Sequence, residues 1–183
     1  MATITRFAAL LGHLPVFRGL NDLEAGEIAA LMHLEQKPAG AVLCKEGEAG
    51  DAIFVLETGV AVASKKTAQG DEQELATIEA PSVIGELALI DGAARSATVR
   101  LKTAAQVYRI SVKDFDALRA KFHPGAYKVM RNLALMLCER LRDTNERVSE
   151  FYANPEASLQ AMQKRQKELW AKRQAAAAQG APK

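Results

Sequence analysis

Between Ala41 and Ile110 the chain breaks into short β-type runs separated by glycines, and this pattern restricts the fold more than any other feature. The runs are Ala41–Cys44, Ala52–Glu57, Val60–Ser64, Glu74–Ile78, Thr98–Leu101 and Gln106–Ile110, with turn residues at Gly47, Gly50, Gly59, Gly70 and Gly92. Many short strands with frequent turns predict a sandwich or barrel. Helical patterns flank this region. Residues 3–12 read as a short amphipathic helix broken by Pro15 and Gly19. Asn21 or Asp22 can cap a second helix, with an apolar face of Leu23, Ile28, Leu31, Met32 and Leu34, that ends at Pro38-Ala39-Gly40. Ser111 can cap a helix through Ala120, and after His123-Pro124-Gly125 a long helix is predicted over 126–152.

Of the 183 residues, 49% are apolar and 25% charged, ordinary values for a globular chain with a sizeable core. The net charge of +2 is unevenly placed. Residues 1–152 hold 18 Lys/Arg against 20 Asp/Glu, net −2, whereas residues 153–183 hold 6 against 2, net +4. The body is therefore not a nucleic-acid surface, and any basic function belongs to the tail. Cys44 and Cys138 are far apart and match no metal or redox spacing, as expected of reduced thiols in a cytoplasmic protein. The apolar run from Phe7 to Leu20 is interrupted by His13, Pro15 and Arg18 and is too short to span a membrane, so neither a membrane span nor a signal peptide is expected.

Residues 85–99, GELALIDGAARSATV, carry the clearest chemistry. Gly85 lets backbone approach a ligand closely. The turn that follows offers backbone N–H groups to an anion. Arg95 supplies a planar fork of donors suited to a phosphate. An ionised Glu86 only accepts hydrogen bonds, so it suits a sugar hydroxyl rather than a phosphate. Together these residues describe a pocket for a small anion that also carries a hydroxyl or diol.

With Gly85, Glu86, Leu87, Ala88, Arg95, Ala97, Thr98 and Val99 in register, the segment resembles the phosphate-binding cassette of cyclic-nucleotide-binding domains, of the kind found in catabolite activator proteins and kinase regulatory subunits. Gly40, Gly47, Gly50 and Gly59 fall in a stretch similar to that family's turn pattern. The resemblance implies a mixed α and β fold: an eight-stranded jelly-roll-type β-roll flanked by N-terminal helices and a long C-terminal dimerisation helix. It implies that Glu86 holds a ribose 2′-hydroxyl, that Arg95 holds the cyclic phosphate, and that amides near Ala88 and Ser96 complete the cradle. Ligand contacts are thus expected at Gly85, Glu86, Leu87, Ala88, Arg95 and Ser96. The expected ligand is cyclic AMP, with cyclic GMP as the alternative, because Ser96 stands where guanine-selective relatives often carry Thr.

In the long helix Ala134, Leu137, Leu141, Thr144, Val148 and Phe151 recur at spacings of 3, 4, 3, 4 and 3, the seam of a two-stranded coiled coil. A homodimer through residues 126–152 is the expectation; a helix packed on its own domain is the plain alternative. The segment CERLRDTNERV resembles the family's dimer helix, which implies adenine contacts from Thr144 and Asn145, although the family usually has Ser at the second position. Thr144 also reads as a polar residue that fixes register. We therefore expect two parts: a cyclic-nucleotide-binding domain over 1–152, and a basic C-terminal helix with a frayed tail over 153–183. Asn154-Pro155 starts that last helix, and 155–178 is either a solvated helix or the contact for an unknown protein partner.

No catalytic constellation or metal cluster appears. His13, His33 and His123 lie outside or at the margin of the strand region, and no Walker loop or nucleophile elbow is present. The 32 residues after Phe151 leave no room for a winged helix-turn-helix, so DNA binding is not expected. The function expected is a non-enzymatic, stand-alone cyclic-nucleotide sensor, with no cofactor, signalling through protein contacts. The alternatives are a nucleic-acid-associated regulator using the basic tail and a dimerisation module that does not signal.

Overall fold

The computed structural model describes residues 10–168 apart from His13, Ala68, Gln69, Ser158, Met162, Arg165 and Gln166. It falls into two compact units, Met1–Met136 and Leu137–Lys183.

The first unit is built on eight antiparallel strands in two four-stranded sheets. The strands are β1 (Met32–Lys37), β2 (Val42–Cys44), β3 (Ala52–Thr58), β4 (Val60–Lys66), β5 (Glu72–Glu79), β6 (Ser82–Ile84), β7 (Thr98–Leu101) and β8 (Ala105–Ser111). One sheet has the order β1-β8-β3-β6 and the other β2-β7-β4-β5. This is the mixed jelly-roll architecture expected from the sequence. The helices are α1 (Asp22–Ala29), α2 (Ala88–Asp91), α3 (Val112–Ala120) and α4 (Pro124–Ala153).

Strand β3 explains why the roll needs both its sheets and its helices. Its segment AIFVLET is buried over five consecutive residues rather than on alternate ones. Ala52, Phe54 and Leu56 join Leu43, Ala61, Val99, Leu101 and Val107 in a core between the two sheets. Ile53 and Val55 point the other way, with Tyr108 and Ile110, into a second core closed by Phe17, Ile28, Phe115, Ala126, Val129 and Leu133. A strand covered on both faces reads as a continuous apolar run. Each fully buried side chain of this kind contributes roughly 1.5–3 kcal/mol. By contrast β5 is an exposed edge strand carrying Glu72, Gln73, Glu74 and Glu79, which discourages pairing with a further strand.

Two expectations are corrected. The second helix does not extend to Leu34: it ends at Ala29, and Met32–Lys37 is strand β1. Pairing of Met32 with Ile110 and of Leu34 with Tyr108 in the sheet outweighs a weak local helical pattern. The long helix begins at Pro124 rather than Ala126, with proline at its first position, where its missing N–H costs nothing. Asn21 rather than Asp22 is the cap of α1, in a reciprocal capping box with Glu24. Of the predicted helix over 3–12, residues 10–12 are helical and residues 3–9 lie outside the described residues.

The start of α4 is bound to the N-terminal segment by polar contacts. Lys128 Nζ reaches both carboxylate oxygens of Glu24 at 2.9 and 2.6 Å. His123 Nδ1 accepts the Ala126 N–H at 3.3 Å while its Nε2 pairs with Glu27. Asn132 Nδ2 donates to the carbonyls of Val16 and Arg18 at 3.2 and 2.8 Å. The buried residues of α4, Gly125, Ala126, Val129 and Leu133, all lie before Met136.

In the second unit the rest of α4 is solvent-exposed beyond the half-buried Leu137, including Leu141 at 60%, Val148 at 49% and Phe151 at 37%. Asn154 interrupts the helix and Pro155 opens another, as expected; residues 169–183, the end of the predicted 155–178 helix and the tail, lie outside the described residues.

Candidate functional site

The segment 85–96 runs from the end of β6 to the start of β7, and each of its turns has a local cause. Gly85 follows Ile84, which pairs with Phe54 of β3. Its φ of +77° lies in the left-handed region, and an added Cβ would meet the guanidinium of Arg95. A single helical turn, α2, follows, with Ala88 and Leu89 buried. The Ala88 N–H is directed to the Gly85 carbonyl at 3.2 Å within this turn. Gly92 ends it with φ +60°, and the Asp91 carboxylate accepts the Ala93 N–H at 2.9 Å.

The segment is fastened to the loop before β3. Ala94 bridges to Ala49. The Arg95 backbone N–H donates to the Glu48 carbonyl at 2.8 Å, and the Gly47 N–H donates back to the Arg95 carbonyl at 2.9 Å. Gly50 is required where the two segments touch. A Cβ there would lie 2.6 Å from the Ala88 methyl and 2.9 Å from the Ala93 carbonyl oxygen.

Arg95 is the centre of the site. It is only 7% exposed. Its Nη2 donates to the Ala52 carbonyl at 2.6 Å and lies 3.4 Å from Asp51 Oδ1; its Nη1 lies 3.4 Å from the Gly85 carbonyl. The guanidinium sits 6.0 Å from the centre of the Phe54 ring, a cation–π distance. A buried cation is tolerated only when its donors are satisfied in this way. A guanidinium has five N–H donors, so these three acceptors leave capacity for an anion. Asp51 is itself held by Arg109 at 2.8 Å.

Beside the segment, Cys44 Sγ lies 3.9 Å from the Ala97 carbonyl, and burial pushes its thiol above the ordinary range, which makes it a poor nucleophile. Among the described residues no group of three or more His, Cys, Asp and Glu is arranged to hold a metal ion, and no helix is long and apolar enough to cross a membrane.

The structure thus brings Gly85 against Arg95 in the first unit, with Glu86, Leu87 and Ala88 in the turn that follows Gly85, and with Arg95 buried and Ser96 exposed. Thr144 and Asn145 belong to the second unit. Both are exposed, and Thr144 Oγ1 donates to the Arg140 carbonyl one turn back at 2.8 Å. Sequence reasoning missed Asp51 and Arg109. Asp51 does stand directly after Gly50 in the glycine-marked turn, but no spacing ties it to Arg95.

The family model for the cyclic nucleotide-binding domain matches residues 34–122. Residues 34–122 are a cyclic nucleotide-binding domain. The chain is also similar to proteins of known name. The chain is 32% identical to glutaminase 1 of Bradyrhizobium diazoefficiens over 138 residues, 75% of the chain and 22% of that enzyme. It is 34% identical over 112 residues to the cAMP-dependent protein kinase regulatory subunit of Emericella nidulans, covering 61% of the chain and 26% of that subunit. Among solved structures, the regulatory domain of Toxoplasma gondii PKA, crystallised with cAMP, superposes with a TM-score of 0.65 at 26% identity, covering 75% of the chain and 51% of that domain. The chain therefore spans about a quarter of the length of these two curated relatives.

Proposed function

We propose that the chain is a cyclic-nucleotide-responsive regulatory module of the cytoplasm, not a catalyst, and that cyclic AMP is its preferred ligand. The observation that carries this reading is the cassette built around a buried Arg95 and backed by Gly85. The guanidinium binds the cyclic phosphate, Glu86 binds the ribose 2′-hydroxyl, and backbone groups of Leu87, Ala88 and Ser96 line the phosphate. Thr144 and Asn145 recognise adenine, one from each chain of a homodimer formed along the 126–152 seam. The exposed Leu141, Val148 and Phe151 support such a seam, because apolar side chains repeating along one helix face are stabilised by a matching partner.

Signalling follows if the nucleotide binds one arrangement of the long helix better than another, since a ligand shifts an equilibrium only by its differential affinity. The output is read by a protein partner through the segment beyond Asn154. Binding domain over 1–152 and output segment over 153–183 are the division we propose. Calorimetric titration of the full chain with cyclic AMP and cyclic GMP tests the reading, with native mass spectrometry reporting the dimer. Tighter binding of cyclic AMP supports it, and binding of neither nucleotide overturns it. Salt-sensitive retention of nucleic acid by the basic segment would favour a nucleic-acid-associated regulator instead.

A further inference from the structure

Asp51 is shared by two arginines, and only one of them belongs to the cassette. Its Oδ1 lies 3.4 Å from Arg95 Nη2, and its Oδ2 accepts the closer bond, 2.8 Å, from Arg109 Nη2. Arg109 lies on β8 directly opposite Phe54, the residue whose ring underlies Arg95. Strand alternation puts Arg109 on the same face as Ala105 and Val107, the face that lines the core between the sheets. The end of the roll therefore holds one carboxylate between two guanidinium groups.

This arrangement matters for any anion on Arg95. A lone Asp51 would compete with the anion for the Arg95 donors and would repel it at close range. Arg109 draws the carboxylate to its own side and neutralises it. We propose, on the reading that Arg95 binds a cyclic phosphate, that Arg109 is a positioning residue that sets nucleotide affinity by occupying Asp51. It touches no ligand; it keeps the Arg95 donors available.

The test is calorimetric titration of the full chain with cyclic AMP in two backgrounds. With Asp51 present, Arg109→Gln weakens binding about fivefold, the scale of one partly exposed ion pair. With Asp51→Asn in place, the same change alters affinity by less than about twofold, because the competitor has gone. Arg109→Lys keeps a cation beside Asp51 and retains most of the affinity, which separates this role from a need for the arginine shape. Equal losses in both backgrounds, or no loss with Asp51 present, overturn the proposal while leaving the nucleotide site intact. A wild-type chain that binds neither cyclic AMP nor cyclic GMP overturns it together with the function on which it rests.

Discussion

The two units of this chain treat polar and apolar groups in opposite ways. In the first, a cation, Arg95, is buried among carbonyls and a phenyl ring, and β3 is covered by the facing sheet on one side and by helices on the other. In the second, apolar residues face solvent along α4 and no residue between Leu137 and Ala153 is fully buried. The roll is complete as a folded object: it buries its own apolar clusters, and Arg95 and Asp51 have partners within the same unit. The distal helix is incomplete in the same sense, since its own unit does not cover its seam. Fold stability therefore belongs to the roll, which also carries the proposed phosphate contact, and the distal helix is where the proposed association would act.

Truncating one side chain in each unit tests this contrast most strongly. Leu56 is 0% exposed between the sheets, and Leu56→Ala should lower unfolding free energy in urea by about 2–5 kcal/mol. Leu141→Ala should stay within about 0.5 kcal/mol of wild type at low protein concentration. Its cost should grow as concentration rises, because only an associated seam would feel the loss. A large, concentration-independent effect of Leu141→Ala would break the distinction.

Gly85→Ala addresses the link between fold and site within the roll. The left-handed backbone alone costs an alanine about 1 kcal/mol, and the methyl group displaces the Arg95 guanidinium. A fall in melting temperature together with weaker nucleotide binding is expected. Unchanged binding would mean that the guanidinium position in the structure is not the binding position.

The smallest effect is a pH dependence at the base of α4. Hydrogen bonding from Lys128, and then from the Asn21 backbone, holds the Glu24 carboxyl below its ordinary value. A carboxyl depressed in the folded state stabilises that state above its unfolded value, and the contribution is lost as pH falls through the folded value. Wild type should therefore lose stability on acidification more steeply than Glu24→Gln, as followed by thermal melts between neutral and acid pH. Parallel curves would remove this contact from the account.

How far the sequence alone carries depends on whether information is local. The runs at β2, β3 and β4 were legible because each is apolar or β-branched and bounded by glycine, and those at β7 and β8 because each carries β-branched or aromatic residues. Strand β1 was not: in MHLEQK no face is consistently buried, so it shows no period of two, and only its pairing with β8 makes it a strand. At three residues β6 is too short to show any period. The cassette was legible because its residues are contiguous. Asp51 and Arg109 were not, because they meet through strand pairing across a sequence separation of 58 residues. The roles of Thr144 and Asn145 rest on family resemblance, and the helix itself displays only a back-bonded hydroxyl and an exposed amide.

If the buried Arg95 is the anion receptor of the roll, titration of Arg95→Ala with cyclic AMP shows it. A charge-assisted contact of this kind is worth about 1.5–3 kcal/mol. Binding should weaken by about one to two decades, in a protein that still gives the far-ultraviolet circular dichroism of the folded roll. Unchanged affinity in that folded variant would contradict the account.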